Sequence, residues 1–247
     1  TINQSTQTLL TIINDNLDHS RIESGNIDLD DDAYDLRATI EGSIEILAQD
    51  AERKGLEISL LVPPELPEHV VGDAGRLRQV LVNLIGNAIK FTKQGQIAVR
   101  LADLGGDDQR RRIQFLVSDT GIGIGPEALK NLFNPFTQAD ATITRRFGGT
   151  GLGLSISQSL VRMMGGDIAL TSEVGKGTTV TFDIAVAIDA HATRPKSAQA
   201  LDGMRVLVVD RQEMNRDVLC RYLSEAGAQL ETADSGHEAF ARLIVAA

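Results

Sequence analysis

The amino-acid sequence predicts an α+β protein in which helices pack on one side of a sheet, a two-layer α/β sandwich. Apolar residues recur at helical spacing in four segments, and the stretches between them alternate as strands do. Runs of helices followed by strand pairs joined by short turns are typical of antiparallel pairing. The predicted helices are 1–24, 35–54, 72–92 and 152–164, and the predicted strands are 57–62, 96–102, 111–118, 167–172 and 178–187.

Composition favours a folded protein of one or two domains. The chain has 247 residues, of which 42% are hydrophobic, and its formal net charge of -10 disfavours nucleic acid and anionic lipid as partners. The single cysteine, Cys220, cannot form an intrachain disulfide, and no apolar run approaches the ~20 residues that cross a bilayer. We therefore expect a cytoplasmic chain, and leave open the attachment of a full-length protein to the inner membrane. Because the chain starts and stops within helical patterns, we expect it to be a fragment.

The first predicted helix has a narrow apolar stripe. Its members are Ile2, Leu9, Ile13 and Leu17, at spacings of seven and four residues. This stripe indicates packing against other helices, or docking on its own domain. Residues 28–35 then form an acidic link, and residues 189–203 have the composition of a linker.

The two strands at 96–102 and 111–118 are joined by a glycine- and aspartate-rich turn at 105–108, which predicts a hairpin. Three arginines follow at 110–112. We interpret them as a solvated part of the hairpin in preference to a partner-binding patch.

The helix at 72–92 separates two kinds of side chain. At about 100° per residue, one face carries polar residues and the other apolar ones. The polar set is Arg76, Gln79, Asn83, Asn87 and Lys90, and the apolar set is Leu77, Val80, Leu81, Leu84 and Ala88. A solvated face would have this pattern too, but asparagine is a poor helix former. Two amide carbonyls one turn apart, followed by a lysine, suit magnesium and a polyphosphate.

Two glycine-rich segments suggest how a nucleotide could be held. Asp119 begins the segment DTGIGIG, where a buried carboxylate can accept from an exocyclic amine and glycines let a base approach the backbone. Flexible turns use the same residues. The second segment, GGTGLGL at 148–154, opens the helix at 152–164, whose N-terminus can receive phosphate.

Other nucleotide- and metal-binding motifs are absent from the sequence. Gly175-Lys176 is followed by Gly177, so there is no Walker A sequence, and no Gly-x-Gly-x-x-Gly opens a Rossmann unit. The motif set of eukaryotic-type protein kinases is missing, and four scattered histidines with one cysteine do not form a zinc site.

Four motifs, in order, resemble the N, first glycine, F and second glycine boxes of bacterial sensor histidine kinases. They are NLIGNAIKFT at 83–92, DTGIGIG at 119–125, FNPF at 133–136 and GGTGLGL at 148–154. The resemblance implies the Bergerat ATP-binding fold of gyrase, chaperone and mismatch-repair ATPases, with ATP lying between a helical layer and a mixed sheet.

The resemblance also implies roles for individual residues. Asn87 would ligate Mg²⁺, Asn83 and Lys90 would contact phosphates, and Asp119 would bind the adenine amino group. Residues 133–150 would form a lid over ATP, with Arg145 near the γ-phosphate, and Thr178 or Thr179 would complete the adenine end. The catalytic set implied is Asn83, Asn87, Lys90 and Arg145; the ATP-binding set is Asn83, Asn87, Lys90, Asp119, Gly121, Gly123, Gly125, Phe136, Gly149, Thr150, Gly151, Leu152, Gly153 and Thr179.

The flanking segments resemble other parts of these kinases. Residues 9–29 are similar to the second helix of the dimerisation and phosphotransfer domain, whose phosphoacceptor histidine lies on the preceding helix, which we expect outside this chain. His19 stands where the family usually has an apolar or aromatic residue, which indicates a packing or surface role.

Residues 204–247 look like the opening strand–helix–strand of a response-regulator receiver, which suggests a hybrid kinase. Asp210 is followed by Arg211, where the family usually has a second acid, so we expect a poor metal site. The phosphoacceptor aspartate of the receiver would lie beyond this chain.

The sequence therefore predicts four parts: a dimerisation helix, an ATP-binding catalytic domain, a linker and a partial receiver. Their ranges are 1–29, 30–188, 189–203 and 204–247. The expected activity is transfer of the γ-phosphoryl of Mg·ATP to a histidine, in a two-component homodimer that signals to a response regulator or phosphotransfer protein. A nucleotide-binding interaction module without kinase activity and an ATPase of the same fold are the alternatives.

Overall fold

The structure is a computed structural model, and it describes residues 13, 16, 17, 20, 21, 28–107, 109–135, 151–189, 201–211 and 213–246. The chain divides into two units, one of residues 1–62 with 67–190 and the other of residues 63–66 with 191–247. The described strands of the first unit are β1 (Asp32–Asp35), β2 (Glu57–Leu61), β3 (His69–Gly72), β4 (Gln96–Gly106), β5 (Arg110–Asp119), β6 (Ile168–Glu173) and β7 (Gly177–Ile188). Its described helices, apart from the N-terminal segment, are α1 (Leu36–Arg53), α2 (Ala74–Phe91), α3 (Pro126–Leu129) and α4 (Gly153–Met163).

The strands form one mixed sheet in the order β1-β3-β7-β5-β4-β2, and β6 also pairs with β7. β7 is the strand with most partners: it pairs antiparallel with β5, β6 and β3. Within this sheet, only β2 and β4 are parallel neighbours among the described strands. A parallel pair needs a crossover, and here the connecting chain contains β3 and α2.

Helices α1, α2 and α4 pack together and against this sheet. Alternate residues of β5 and β7 turn inward, and the rings of Phe115 and Phe182 stack with centroids 4.6 Å apart. α2 buries the apolar residues that helical periodicity placed on its inner face, including Leu77 and Leu84. The predicted two-layer α/β sandwich is confirmed.

The sequence did not predict two short strands, β1 and β3. The acidic link at 28–35 contains β1, which pairs antiparallel with β3 from Asp32↔Gly72 to Asp35↔His69. Each strand has four residues, and β1 is rich in aspartate, a residue depleted in strands. Their extended conformation comes from pairing with each other and with β7, which no local pattern reveals.

Two arginines of the charged hairpin between β4 and β5 form ion pairs within the first unit. Arg111 forms an ion pair with Asp103 at 3.1 Å, and Arg112 pairs with Asp183 and donates to the Gly165 carbonyl. Arg111 and Arg112 therefore contact residues of the sheet and of the turn before β6.

Asp73 joins the start of α2 to the segment before β1. Its Oδ1 accepts from the Arg76 N–H at 2.8 Å, the usual N-cap bond, and its Oδ2 accepts from the Asp30 N–H at 3.2 Å. Burial, and secondarily the charge of Asp73, raises the pKa of Tyr34 to about 12. The N-terminal end of α2 is thus fixed by contacts from outside the helix.

Five residues of the predicted N-terminal helix are described, and all five are helical. Ile13 and Leu17 lie four residues apart and are 46% and 51% exposed. Ile2, Leu9 and His19 fall outside the described residues. No helix in the described part of the chain is both long enough and apolar enough to cross a membrane.

The second unit contains β8 (Arg205–Val209), α5 (Glu213–Glu225), β9 (Gln229–Ala233) and α6 (Gly236–Ala246). β8 and β9 are parallel neighbours joined through α5, as the strand–helix–strand prediction requires. Asp210 follows β8, and its backbone carbonyl accepts from Arg216 at 2.6 Å. The exposed Arg211 comes next, so a cation stands beside this acid.

Candidate functional site

The polar row of α2 lies at the edge of the helical layer. Its members are half-buried, while the residues between them form the core. At its N-terminal end Arg76 donates to Gln79 Oε1 at 2.8 Å. The members are Arg76, Gln79, Asn83, Asn87 and Lys90.

Asn83 binds α2 to the start of α4. Its Nδ2 donates to the hydroxyl of Ser157, which is buried, at 2.8 Å. A Cβ added to Gly153 would lie 2.4 Å from Asn83 Oδ1, so the first residue of α4 approaches the amide as closely as only glycine can. Ser157 and Gly153 therefore hold this amide against the beginning of the second glycine segment's helix.

Asn87 lies one turn further along α2. Its Nδ2 donates to Asn83 Oδ1 at 3.4 Å, which orients the amide. No donor within the described part of the chain reaches Asn87 Oδ1. This carbonyl oxygen is the type of ligand that Mg²⁺ takes in proteins.

Lys90 places a cation at the end of the row. Its Nζ lies 4.9 Å from the centroid of the Phe91 ring, within cation–π range. Burial lowers the pKa of Lys90, because desolvation disfavours the ammonium form. An anionic group beside Lys90 would offset that desolvation.

Asp119 lies at the end of β5, where the first glycine segment begins. Burial raises the pKa of this carboxyl above its ordinary value; the N–H groups of Gly121 and Thr178 and the nearby Thr92 hydroxyl lower it by smaller amounts. The Gly121 N–H donates to Oδ1 at 2.8 Å. The carboxyl is therefore partly desolvated and held in one orientation.

The glycines of this segment make room for close backbone contacts. A Cβ on Gly121 would lie within 3 Å of Phe91 O, Asp119 Oδ1 and Thr92 Oγ1. Gly123 has φ +66°, and a Cβ there would lie 2.0 Å from Glu173 O. The segment from Asp119 to Gly123 is thus pressed between the end of α2 and the β6–β7 turn. Gly125 is the N-cap of α3.

Strand register separates the two threonines that the sequence left open. Asp119 is opposite Thr178, whereas Thr179 is opposite Ser118. Directly opposed residues point to the same face of a sheet, so Thr178 shares the face of Asp119 and Thr179 points to the other. Thr178 Oγ1 lies 2.8 Å from Ser172 Oγ, and Thr179 donates to Ser118 Oγ at 3.1 Å. The geometry brings Thr178, and not Thr179, to Asp119.

The second glycine segment is described only from Gly151. Gly151 has φ +72°, and the buried Leu152 is the N-cap of α4; the Leu152 carbonyl accepts the Ile156 N–H at 2.9 Å. The other predicted site residues in this region, Phe136, Arg145, Gly149 and Thr150, lie outside the described residues.

Two residues near the site carried no predicted role. Ser157 orients Asn83 from 74 residues away, and no local pattern signals such a bond. Thr92 closes the first motif and is 0% exposed, and its hydroxyl has no partner of good hydrogen-bond geometry in the described part of the chain. The feature that draws attention to Thr92 is structural: it is a polar side chain that is fully buried directly after a helix.

No group of three or more histidine, cysteine, aspartate or glutamate side chains in the described ranges could hold a metal ion. A metal at this site would therefore depend on amide oxygens and on oxygens of a ligand.

Comparison with known proteins agrees with this geometry. Residues 72–188 match the family described as histidine kinase-, DNA gyrase B- and HSP90-like ATPase. The chain is 40% identical over 226 residues to the signal transduction histidine-protein kinase BarA of Escherichia coli K12, covering 91% of this chain and 25% of that protein. It is 37% identical over 229 residues to the sensor protein GacS of Pseudomonas syringae, covering 93% and 25%. The chain thus spans about a quarter of the length of each of these two relatives.

Among solved structures, the crystal structure of full-length ShkA in complex with AMPPNP matches with a TM-score of 0.79 and 32% identity. That match covers 96% of this chain and 48% of ShkA. The Acinetobacter baumannii histidine kinase AdeS, at 23% identity and a TM-score of 0.59, shares the fold.

Proposed function

Because residues 72–188 belong to the family of histidine kinase-, DNA gyrase B- and HSP90-like ATPases, we propose that this chain is the ATP-binding catalytic part of a hybrid sensor histidine kinase. Its reaction is transfer of the γ-phosphoryl group of Mg·ATP to a histidine of the kinase outside residues 1–247.

One observation carries the proposal: α2 contacts both glycine segments. Asn83, in the middle of the helix, touches Gly153 at the start of α4. At the end of the helix the Phe91 carbonyl accepts from the Ile122 N–H at 3.4 Å. The amides and the lysine thus lie along α2, between the N-terminus of α4, which is suited to phosphate, and the Asp119 carboxyl.

The residues present suit Mg²⁺ and a triphosphate. Asn87 Oδ1 is an oxygen ligand oriented by Asn83, and the half-buried Lys90 ammonium supplies a charge to the phosphates. Bound Mg²⁺ neutralises phosphate charge. Asn83 is proposed to contact the phosphates as well, and Arg145, which lies outside the described residues, to contact the γ-phosphate.

Asp119 is proposed to recognise adenine. Its carboxylate accepts from the exocyclic amine, while Gly121 and Gly123 leave room for the base against the backbone. Guanine presents a carbonyl where adenine has its amine, and two acceptors facing each other repel. Thr178 lies opposite Asp119 on the neighbouring strand, and its backbone N–H donates to the Asp119 carboxyl.

Phosphoryl transfer needs little covalent chemistry from the protein. Positioning of the γ-phosphoryl and neutralisation of its charge supply most of the rate enhancement. Asn87 would hold the Mg²⁺ that neutralises this charge, and the Lys90 and Arg145 side chains would add cationic charge. The acceptor histidine would come from the dimerisation and phosphotransfer domain.

The flanking segments support partners beyond ATP. Ile13 and Leu17 expose apolar side chains on the N-terminal helix, as a homodimer interface requires. Signalling to a response regulator or phosphotransfer protein follows from the kinase proposal. Residues 204–247 are proposed to be a receiver with poor metal affinity, because Arg211 places a cation beside Asp210; Mg²⁺-dependent phosphorylation of the complete receiver by acetyl phosphate would contradict this.

Calorimetric titration of this chain with Mg·AMP-PNP tests the proposal. We expect saturable binding to wild type. We also expect that mixing with γ-labelled ATP and the dimerisation domain of the same kinase yields an acid-labile phosphohistidine on that domain. Steady phosphate release without the partner would favour an ATPase, and absence of nucleotide binding would favour an interaction module.

A further inference from the structure

Lys54 lies far from the motifs in sequence, but its side chain reaches the C-terminal end of α2. It is the C-cap of α1. Its Nζ donates to Ile89 O at 2.6 Å, Lys90 O at 3.0 Å and Thr92 O at 3.4 Å. All three acceptors are carbonyls at the C-terminal end of α2.

These bonds complete the hydrogen bonding of the helix end. An α-helix leaves its last four carbonyls without intrahelical partners. Here Ala88 O accepts the Thr92 N–H at 3.0 Å, and Phe91 O accepts the Ile122 N–H at 3.4 Å. Lys54 supplies the donors for the two carbonyls between them, those of Ile89 and Lys90.

The backbone that Lys54 contacts carries two residues of the proposed site, Lys90 and Thr92. Lys90 carries the proposed phosphate-binding ammonium. Thr92 lies with Asp119 around Gly121, because a Cβ on that glycine would lie within 3 Å of Asp119 Oδ1 and Thr92 Oγ1. The position of the last turn of α2 therefore determines where the Lys90 ammonium and the Thr92 side chain lie relative to Asp119.

We propose that Lys54 is a positioning residue of the nucleotide site: its ammonium fixes the end of α2 and thereby aligns Lys90 and Thr92 with Asp119 for ATP. The proposal rests on the ATP-binding function above. Lysine suits this role because a cation interacts favourably with a helix C-terminus and its three N–H donors can serve three carbonyls.

Arg53 provides a matched control. It precedes Lys54 and carries the same charge, but its side chain is 75% exposed and pairs with Asp50 of α1. Its Nε donates to Gln49 O of the same helix. Removal of this cation changes the local charge without touching α2.

The experiment compares wild type, Lys54→Met and Arg53→Met by titration with Mg·AMP-PNP well below their unfolding midpoints. Loss of charge-assisted hydrogen bonds predicts a Kd raised about 3- to 30-fold in Lys54→Met. Arg53→Met should stay within about twofold, as for an exposed ion pair. A lower unfolding midpoint with an unchanged Kd in Lys54→Met would show a purely structural cap and overturn the proposal.

A chemical rescue separates the ammonium from general packing. In a Cys220→Ser background, which leaves no other thiol, Lys54→Cys is treated with bromoethylamine. The product carries an ammonium at nearly the length of lysine. We expect the untreated variant to bind weakly and the treated one to return to within about threefold of wild type, as a restored charge-assisted bond requires. Failure of the treated variant to recover would overturn the inference. If wild type itself bound no nucleotide, the proposed function would fall, whereas normal binding by Lys54→Met would remove the inference alone.

Discussion

The two ends of the candidate site are built in opposite ways. At the proposed phosphate end, buried and half-buried side chains from two helices contact one another, as in the hydrogen-bonded series Asn87–Asn83–Ser157. At the proposed adenine end, the Asp119 carboxyl accepts from the Gly121 backbone N–H, and a carbon added at Gly121 would lie within 3 Å of three oxygen atoms. One end therefore depends on which side chains are present, and the other on where side chains are absent.

This difference has a consequence for mutation. Truncation of Asn87 would remove the proposed metal ligand and leave the backbone of α2 in place. At the glycine positions an added methyl group moves the backbone or its neighbour. Amide substitutions should thus change binding with little effect on stability, and glycine substitutions should change both.

The largest effect is expected for Asn87→Ala. Loss of the proposed metal ligand should weaken binding of Mg·AMP-PNP by about 100-fold, the scale of losing a well-oriented metal contact. In EDTA the variant and wild type should bind the nucleotide with similar affinity. Calorimetric titration checks both conditions, with Asn16→Ala, an exposed helical asparagine, as control. Equal losses with and without magnesium would assign Asn87 to something other than metal binding.

Gly153→Ala should have an intermediate effect. The new Cβ would lie 2.4 Å from Asn83 Oδ1 and push apart α2 and α4. We expect nucleotide affinity about tenfold lower, since small misplacements at such sites are costly. Gly42→Ala is the matched control, because it is also helical and nothing lies within 4 Å of its added Cβ. It should raise the free energy of unfolding by about 0.5–1 kcal/mol and leave binding unchanged. Equal binding by the two variants would show that the contact between Asn83 and α4 does not matter.

The smallest effect is a pH dependence from Asp119. Burial raises the pKa of this carboxyl in the folded state, so the native protein keeps the proton to higher pH than the unfolded chain. The free energy of unfolding should therefore fall as pH rises above the ordinary value of 3.8, until the raised pKa is passed. Asp119→Asn should remove this fall, as measured by denaturant titration across pH.

Nucleotide binding should depend on pH in the opposite sense. Protonation of Asp119 removes an acceptor for the adenine amine, so acidification should weaken binding by less than about tenfold per pH unit, the limit for one proton. Asp119→Asn should bind weakly without that dependence, whereas Asp107→Asn, in the exposed hairpin, should behave as wild type. A wild-type affinity that rises on acidification would exclude an ionised acceptor.

The same contrast explains how much could be predicted from the sequence. The amide row of α2 could be predicted because helical periodicity alone decides which residues share a face. The glycine segments could be found as motifs, but their contacts depend on distant backbone, such as Glu173 O beside Gly123. The choice between Thr178 and Thr179 needed the register of β7 on β5.

Long-range partners account for the remainder. Ser157 and Lys54 act on α2 through bonds to residues 74 and 35–38 positions away. β1 and β3 are too short for a periodic pattern and become strands through their neighbours. These features belong to tertiary structure, and a single sequence contains no local signal for them.

The position of β7 in the sheet also bears on how the domain is made. β7 pairs with β5 and β6 and, at its end, brings Ile188 opposite Val70. During synthesis α2 leaves the ribosome long before β7. The amide row of α2 is therefore made before the sheet that it packs against is complete. Non-local pairing of this kind slows folding and exposes unpaired edges. The nascent domain should therefore become competent for ATP only when β7, the last strand of its sheet, has emerged.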